Sequence, residues 1–311
     1  MKMLMTLLFA LLPFFAMAEA SDQELLPEIQ SLQKEAAEKW AKEDFKGAAK
    51  LYKKAAKKLE KPVFKADMLL KEAECYFEAN KSQKAYDAFR ALMKDYALYI
   101  SYDVVVERLR TLAQRFTEGK GIFLGIRDPE TAIDIYFLIL TDAPSIHVSL
   151  DDRLNLAGLL KKVGRNEEAV VVYQEILKMD STLDDVRLDL AQLLMELCKQ
   201  GDGDGSIRRA ASRQAKMILD RNPDYSRKAE VELIITTTNE VEASRMLELG
   251  KFYLRPSHLK PAAAKVYLQE LMQKYPGTKS AWEAKDIMDN HPAFGKEAEK
   301  AENEPAEGKK E

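Results

Sequence analysis

Residues 154–176 read LNLAGLLKKVGRNEEAVVVYQEI: an apolar helical run, a turn at Gly164 and a second helical run. In the second run a small residue, Ala169, is followed four positions later by Tyr173 and seven positions later by Ile176, which puts all three on one face of a helix. The same pattern recurs at Ala48/Tyr52/Ala55, Ala85/Phe89/Leu92, Ala132/Tyr136/Ile139, Ala211/Ala215/Ile218 and Ala264/Leu268/Leu271. A unit repeated at this period predicts helix pairs that stack on one another.

The spacing between successive small residues exceeds the roughly 34 residues of a strict tetratricopeptide repeat. Insertions near residues 119–125 and 199–207 account for part of the excess. We predict an all-α fold, a tetratricopeptide-like helical solenoid of about six helix pairs over residues 21–291. Trp282, Ile287 and Met288 predict a final helix that caps the stack. The alternative is a plain helical bundle in which the recurring pattern is a coincidence.

Composition agrees with a helical protein that has a sizeable core. The chain has 311 residues, of which 46% are hydrophobic and 32% charged, with only 13 Gly and 11 Pro. Its formal net charge is −3, with both signs interspersed. Binding to nucleic acid would call for a basic stripe, so we predict no nucleic-acid partner.

Both ends of the chain differ from the repeats. Lys2, the apolar residues 4–15 and the small-x-small sites within 16–20 predict a signal peptide over residues 1–20. We therefore expect an exported, periplasmic protein without direct membrane insertion; a peripheral position at the outer membrane is compatible with this. No Cys near the cleavage site could carry a lipid. Residues 292–311, rich in Glu and Lys, predict a disordered charged tail.

Few residues could carry redox, metal or catalytic chemistry. Cys75 and Cys198 lie three repeats apart, too far for a disulfide in a solenoid, and are expected to be buried thiols. The three histidines, His147, His258 and His291, each stand alone, without a partner at metal-ligand spacing. We predict no metal, no cofactor and no catalytic residues. An enzyme whose site is assembled across the groove remains the alternative from another class.

Two glycine-rich loops invite ligand-binding interpretations. The glycines in 119–125 lack the Gly-Lys-Ser/Thr ending of a phosphate-binding loop and have no preceding strand. The loop at 201–205 alternates Gly and Asp, but a calcium loop starting there would need an acid where Arg213 or Ala215 stands. Both loops are predicted to be turns between helices.

Function is expected on the concave surface, which the first helix of each pair lines in a solenoid of this kind. Such a groove binds extended peptides or helices through a few apolar anchors among charged residues. From the register of the small residues, the candidate partner-groove residues are Asp67, Leu70, Glu74, Phe77, Asp151, Leu154, Lys161 and Lys162.

The last repeat carries a more specific pattern. It reads LGKFYL at 249–254, then HLKPAAA at 258–264, YLQEL at 267–271 and KYPGT at 274–278. This resembles the BamD family of bacterial outer-membrane assembly proteins, in which a helix ending in two aromatic residues precedes a short turn, an Ala-Ala pair and a Tyr-Pro-x-Thr closure. Asp128-Pro129 through Pro144 resembles a middle repeat of that family. The chain departs from the family in lacking a lipid-attachment Cys and in a long insertion before Met246.

The resemblance implies a non-enzymatic periplasmic scaffold in the insertion of outer-membrane β-barrels. Its partners would be a BamA-like barrel protein and unfolded barrel substrates. The alternative is a periplasmic tetratricopeptide adaptor for cell-envelope maintenance or division with other partners. No individual binding residue is transferred, because the matched positions have a structural character.

Overall fold

The computed structural model describes residues 27–120, 125–199, 201, 203 and 205–294. Within these ranges the regular structure is entirely helical, with thirteen α-helices, four short 3-10 helices and no strand. The prediction of an all-α, tetratricopeptide-like solenoid is confirmed. Thirteen helices in chain order correspond to six pairs and one final helix.

The helices fall into two compact units, which divide between Arg165 and Asn166. The first unit contains α1 (Pro27–Ala41), α2 (Phe45–Lys58), α3 (Pro62–Glu78), α4 (Ser82–Asp95), α5 (Tyr102–Glu118), α6 (Pro129–Asp142) and α7 (Leu150–Lys162). The second contains α8 (Asn166–Met179), α9 (Asp184–Cys198), α10 (Ser206–Arg221), α11 (Lys228–Phe252), α12 (Pro261–Lys274) and α13 (Lys279–Asn290). Within each unit every helix packs against the next one along the chain, the contact pattern of stacked repeats.

The six small residues that define the repeat lie in the core. Ala48, Ala85, Ala132, Ala169, Ala211 and Ala264 are all fully buried. The larger residue four positions on is buried as well, and burial raises the pKa of Tyr52 and Tyr173 to about 12. These aromatic positions are therefore core, where a large side chain fills the space that a neighbouring alanine leaves.

Polar caps fix where several helices begin. The carboxylate of Asp128 accepts a hydrogen bond from Thr131 N at 3.0 Å, and Pro129 occupies the first position of α6, as the sequence predicts. Asp44 caps α2 in the same way through Gly47 N at 2.9 Å. Such side chains satisfy backbone N–H groups that have no partner inside the helix.

One helix is longer than its sequence pattern suggests. Periodicity predicts a helix over about 241–254, with an insertion before Met246, but α11 begins at Lys228 and has 25 residues. No Pro or Gly interrupts it before Gly250, and Val231 and Ile234 are buried. The residues interpreted as an insertion are the first half of this helix.

The C-terminal boundary also needs a correction. Pro292–Phe294 form a 3-10 helix, and Phe294 packs against the cluster that contains Leu268 and Ala284, so the predicted tail does not begin at Pro292. The capping helix exists as α13, and Ile287 and Met288 pack against the same cluster, but Trp282 is 73% exposed. The predicted signal peptide and residues 295–311 lie outside the described residues.

Three findings concern the cysteines, metal binding and membranes. Cys75 is a free, buried thiol, and Cys198 is half-buried. Among the described residues, no group of three or more His, Cys, Asp or Glu could hold a metal ion. None of the helices described here is long and apolar enough to cross a membrane.

Candidate functional site

An open groove of about 780 Å³ lies in the first unit between α5 and α7. Tyr136 of α6 contributes to its wall. In chain order α5 and α7 are the first helices of the third and fourth pairs. The groove therefore lies between two of the first helices, which the sequence predicts to bind partners.

A charged clamp ties the start of α7 to α5 at this groove. The Arg110 guanidinium donates from Nε to Asp152 Oδ1 and from Nη2 to Asp152 Oδ2, both at 2.8 Å. Arg110 Nη2 also donates to the backbone oxygen of His147 at 2.9 Å. Two parallel bonds to one carboxylate are strong and geometrically specific, so the clamp fixes the spacing of the two groove helices.

Asp152 both pairs with Arg110 and caps the start of its own helix, α7. Ser149 Oγ accepts from Asp152 N at 3.1 Å, and Asp152 Oδ2 accepts from Ser149 N at 2.7 Å, which is a reciprocal capping box. Burial alone would raise the pKa of this carboxyl, but the hydrogen bonds from Arg110 and Ser149 outweigh it and hold the pKa below its usual range. Asp152 is therefore a charged structural group at neutral pH.

The segment before α7 is fixed by aromatic and ionic contacts. The His147 ring stacks on Tyr102 at a centroid distance of 5.7 Å, and its Nδ1 lies 2.9 Å from Asp103 Oδ1. The contacts of His147 within the described residues are thus those of a side chain that positions α7 beside α5.

The open part of the groove offers polar groups on both walls. Gln114 projects from α5, while Asn155 and Lys162 project from α7, and all three are exposed. Gly158 lies between them in mid-helix, and a Cβ built on it would meet no atom within 4 Å. Amide groups beside a bare stretch of helix can hydrogen-bond the backbone of an extended segment at close range.

The structure gathers most of the predicted α7 residues at the groove. Asp151, Leu154 and Lys162 line it. Lys161 is half-buried and does not line it.

The predicted α3 residues do not line this groove. Leu70 is 7% exposed and Phe77 3% exposed, so neither is a groove anchor. Asp67 accepts a hydrogen bond from Lys71 on its own helix at 3.0 Å. The prediction for α3 is wrong for its two apolar residues.

Long side chains of α5 cover this part of α3. Two guanidinium groups lie against the Phe77 ring, that of Arg108 at 4.5 Å and that of Arg115 at 3.9 Å from its centroid. Arg108 Nε donates to Glu74 Oε1 at 3.1 Å. Burial nevertheless raises the pKa of Glu74, because the Arg108 hydrogen bond only partly compensates for lost hydration.

The residues of the α5 wall were not among those predicted from the sequence. Glu107, Arg110, Gln114 and Thr117 follow one another at intervals of three or four residues along that wall. This polar periodicity opposite the buried Val105 and Leu112 was a usable signal. This signal was overlooked because the repeat register was taken from the second helix of each pair, which carries the repeated alanine.

One known family model matches part of the chain. Residues 67–98 match the tetratricopeptide repeat, a stretch that spans most of α3 and all of α4. This segment of the chain therefore matches a tetratricopeptide repeat, a helical unit whose stacked copies commonly form protein-binding scaffolds. Proteins of this class are generally non-catalytic adaptors.

Three solved structures match the chain at low sequence identity and low TM-score. A thermophilic TPR protein of Thermus thermophilus is 15% identical, with 68% of this chain and 98% of that chain covered and a TM-score of 0.27. PilW, a type IV pilus biogenesis factor, is 17% identical, with 83% and 98% covered and a TM-score of 0.30. The TPR2AB domain of yeast Sti1, solved as a complex with pHSP90, is 14% identical, with 83% and 98% covered and a TM-score of 0.29. No curated protein matches the sequence.

Proposed function

We propose that this protein is a non-enzymatic, exported adaptor that binds a segment of another protein in the groove between α5 and α7. The observation that carries the proposal is the groove itself. It is open, about 780 Å³ in volume, and lined by amide and charged groups on two helices whose spacing the Arg110–Asp152 clamp fixes. A preorganised site loses less conformational freedom on binding, which favours affinity.

The chemistry of the walls favours an extended polypeptide over a small apolar ligand. Acidic side chains (Glu107, Asp151) and basic side chains (Arg110, Lys162) both reach the groove. A partner segment would therefore be of mixed charge. Gly158 would let its backbone approach α7 closely, because no side chain stands there.

Within this class, we assign the protein to outer-membrane β-barrel assembly, on the strength of the BamD-like pattern in the last repeat. In the structure the pattern residues form the joint of α11 and α12, where Tyr253 stacks on Tyr267 at 5.7 Å and Phe252 lies 4.2 Å from the His258 ring. These contacts support a structural role for the pattern, so the residues that contact partners are sought in the groove. A periplasmic location follows from the predicted signal peptide.

The test is a pull-down of the tagged protein from solubilised native envelopes, read by mass spectrometry. Wild type is compared with Gly158→Trp, which fills the groove at a position with free space around the new Cβ. The matched control is Val171→Trp on α8, where the native side chain is already 53% exposed outside the groove. We expect a BamA-like barrel protein as the dominant partner, lost with Gly158→Trp and retained with Val171→Trp.

Other outcomes separate the parts of the proposal. A different envelope protein that is lost only with Gly158→Trp would leave the adaptor role standing and move the function to envelope maintenance or division. Equal capture by all three proteins would refute the groove as the binding site.

A further inference from the structure

Helix α2 is the most basic element of a chain whose net charge is −3. Its sequence, FKGAAKLYKKAAKK, contains six lysines and no acidic residue. All six lysines are exposed. The expectation that charges of both signs are interspersed therefore fails on this helix.

Four of these lysines form one row, Lys46, Lys50, Lys54 and Lys57, here called the lysine stripe. At 3.6 residues per turn they fall within an arc of about 80° and extend about 16 Å along the helix. The opposite face of α2 is the one buried in the core, through Ala48, Ala49, Tyr52, Ala55 and Ala56. The stripe thus points away from the rest of its unit.

The stripe has no ion-paired partner within the described residues. The other two lysines of α2 are ion-paired, Lys53 with Glu72 at 3.0 Å and Lys58 with Glu28 at 2.8 Å. Asp44 and Glu28 act on the stripe at longer range, but each is itself hydrogen-bonded to a lysine outside it. Like charges three and four positions apart destabilise a helix, so an anionic surface that neutralised them would be bound favourably.

We propose that the lysine stripe docks the protein on the surface of a bilayer that contains anionic phospholipids. Lysine ammonium groups are compact charges on flexible stems, and each one near such a surface strengthens binding about fivefold. The apolar face of α2 is already used in the core, so the helix lies on the headgroups and does not insert.

Two observations favour lipid over nucleic acid. The stripe has no arginine and no exposed aromatic side chain among its lysines, the groups that grip phosphates bidentately or stack on bases. The predicted export would also leave the protein beside membranes and away from the chromosome. The proposal is independent of the α5–α7 groove, whose residues lie on other helices.

The test is co-sedimentation of the full chain with vesicles of phosphatidylcholine alone or with one quarter phosphatidylglycerol. The variant replaces the four stripe lysines, Lys46, Lys50, Lys54 and Lys57, by Gln. The matched control replaces Lys94, Lys178, Lys216 and Lys265 by Gln; these are exposed on four different helices, so the charge changes equally. All three proteins carry the same residues 1–45, so any contribution of the apolar residues 4–15 cancels.

We expect wild type and the dispersed control to bind only the phosphatidylglycerol vesicles, and the stripe variant, which lacks four lysines worth about fivefold each, to bind roughly 600-fold more weakly. Binding should also fall as salt is raised, because salt screens exposed charges. Unchanged helical circular dichroism would show that the variant is folded.

Three results would overturn the proposal. The stripe variant could bind like wild type, or the dispersed control could lose as much affinity as the stripe variant. A DNA duplex or an acidic peptide could bind more tightly than the vesicles with the same dependence on the stripe, which would make the stripe a surface for that partner.

Discussion

Two glycines inside helices have opposite surroundings, and this shows how much the effect of one residue depends on its neighbours. A Cβ on Gly158 of α7 would meet nothing within 4 Å, whereas a Cβ on Gly250 of α11 would lie 2.7 Å from Leu268 Cδ2. Leu268 is fully buried and cannot move aside freely. Gly250 therefore allows α11 and α12 to pack closely, while Gly158 leaves the groove floor bare at a cost in helix stability.

We predict opposite stability changes for alanine at these positions. Gly158→Ala should raise the free energy of unfolding by about 0.5–1 kcal/mol, since alanine restricts the unfolded chain and suits a helix. Gly250→Ala should lower it by about 1 kcal/mol or more, because overpacking outweighs that gain. Urea unfolding followed by circular dichroism measures both. Stabilisation by both substitutions would show that α11 and α12 do not meet closely at Gly250.

At the scale of the helix, the contact between α5 and α7 depends on one buried carboxylate. Asp152 has a side chain only 2% exposed, while that of Arg110 is 31% exposed. Removing one partner of such a pair leaves the other without its counter-charge, and partial exposure of Arg110 softens the loss.

We predict that Asp152→Asn lowers the free energy of unfolding by about 1–3 kcal/mol at neutral pH. The folded-state pKa of Asp152 lies below its ordinary value of 3.8, so its ionised form contributes stability above that pH. The contribution is lost as the pH falls through the folded-state pKa. The difference between wild type and variant should therefore be full at neutral pH and shrink in strong acid.

The control for this prediction is Asp151→Asn, an exposed carboxylate one residue earlier on α7. It should change stability little at any pH. An equal effect of the two substitutions, or a difference for Asp152→Asn that persists undiminished in strong acid, would contradict the assigned role of the Arg110–Asp152 clamp.

At the scale of the whole molecule, charge is distributed unevenly. The formal net charge of −3 hides a helix with six lysines and no acidic residue. Composition alone therefore led to the expectation of no basic stripe. The proposed partner binding and membrane docking both assume that the chain is exported, so its location in the cell is tested directly.

We predict that the mature protein is found in the periplasmic fraction, cleaved after Ala18 or Ala20, the two small-x-small sites. Osmotic-shock release followed by intact mass spectrometry measures both location and N-terminus. A substitution of Arg for Leu8 within the apolar segment should block export and leave a full-length chain in the cytoplasm, because that segment must be apolar to be recognised. A wild-type chain that keeps Met1 and stays in the cytoplasm would refute export.

Much of the fold could be predicted because its determinants are local. The Ala-to-Tyr-to-Ile spacing at Ala169 needs only the period of a helix, and the Asp128 side chain caps α6 by accepting from the backbone N–H of Thr131, three residues away. The start of α11 was not predicted because the apolar residues of α11 show only weak helical periodicity. Its continuity depends on packing against neighbouring helices, which periodicity does not report.

The sequence by itself determined the helix pairs and the buried small residues, since these follow from periodicity along one helix. Only the tertiary structure decided which residues of the first helices are open to solvent. Leu70 and Phe77 have the right positions, but Phe77 lies under Arg108 and Arg115, and both residues are buried. The same holds for the α2 lysines, where Glu72 and Glu28 from other helices neutralise two and leave the stripe uncompensated. Long side chains reach across to residues far away in the sequence, so their partners are fixed by the packing of helices and not by spacing within one of them.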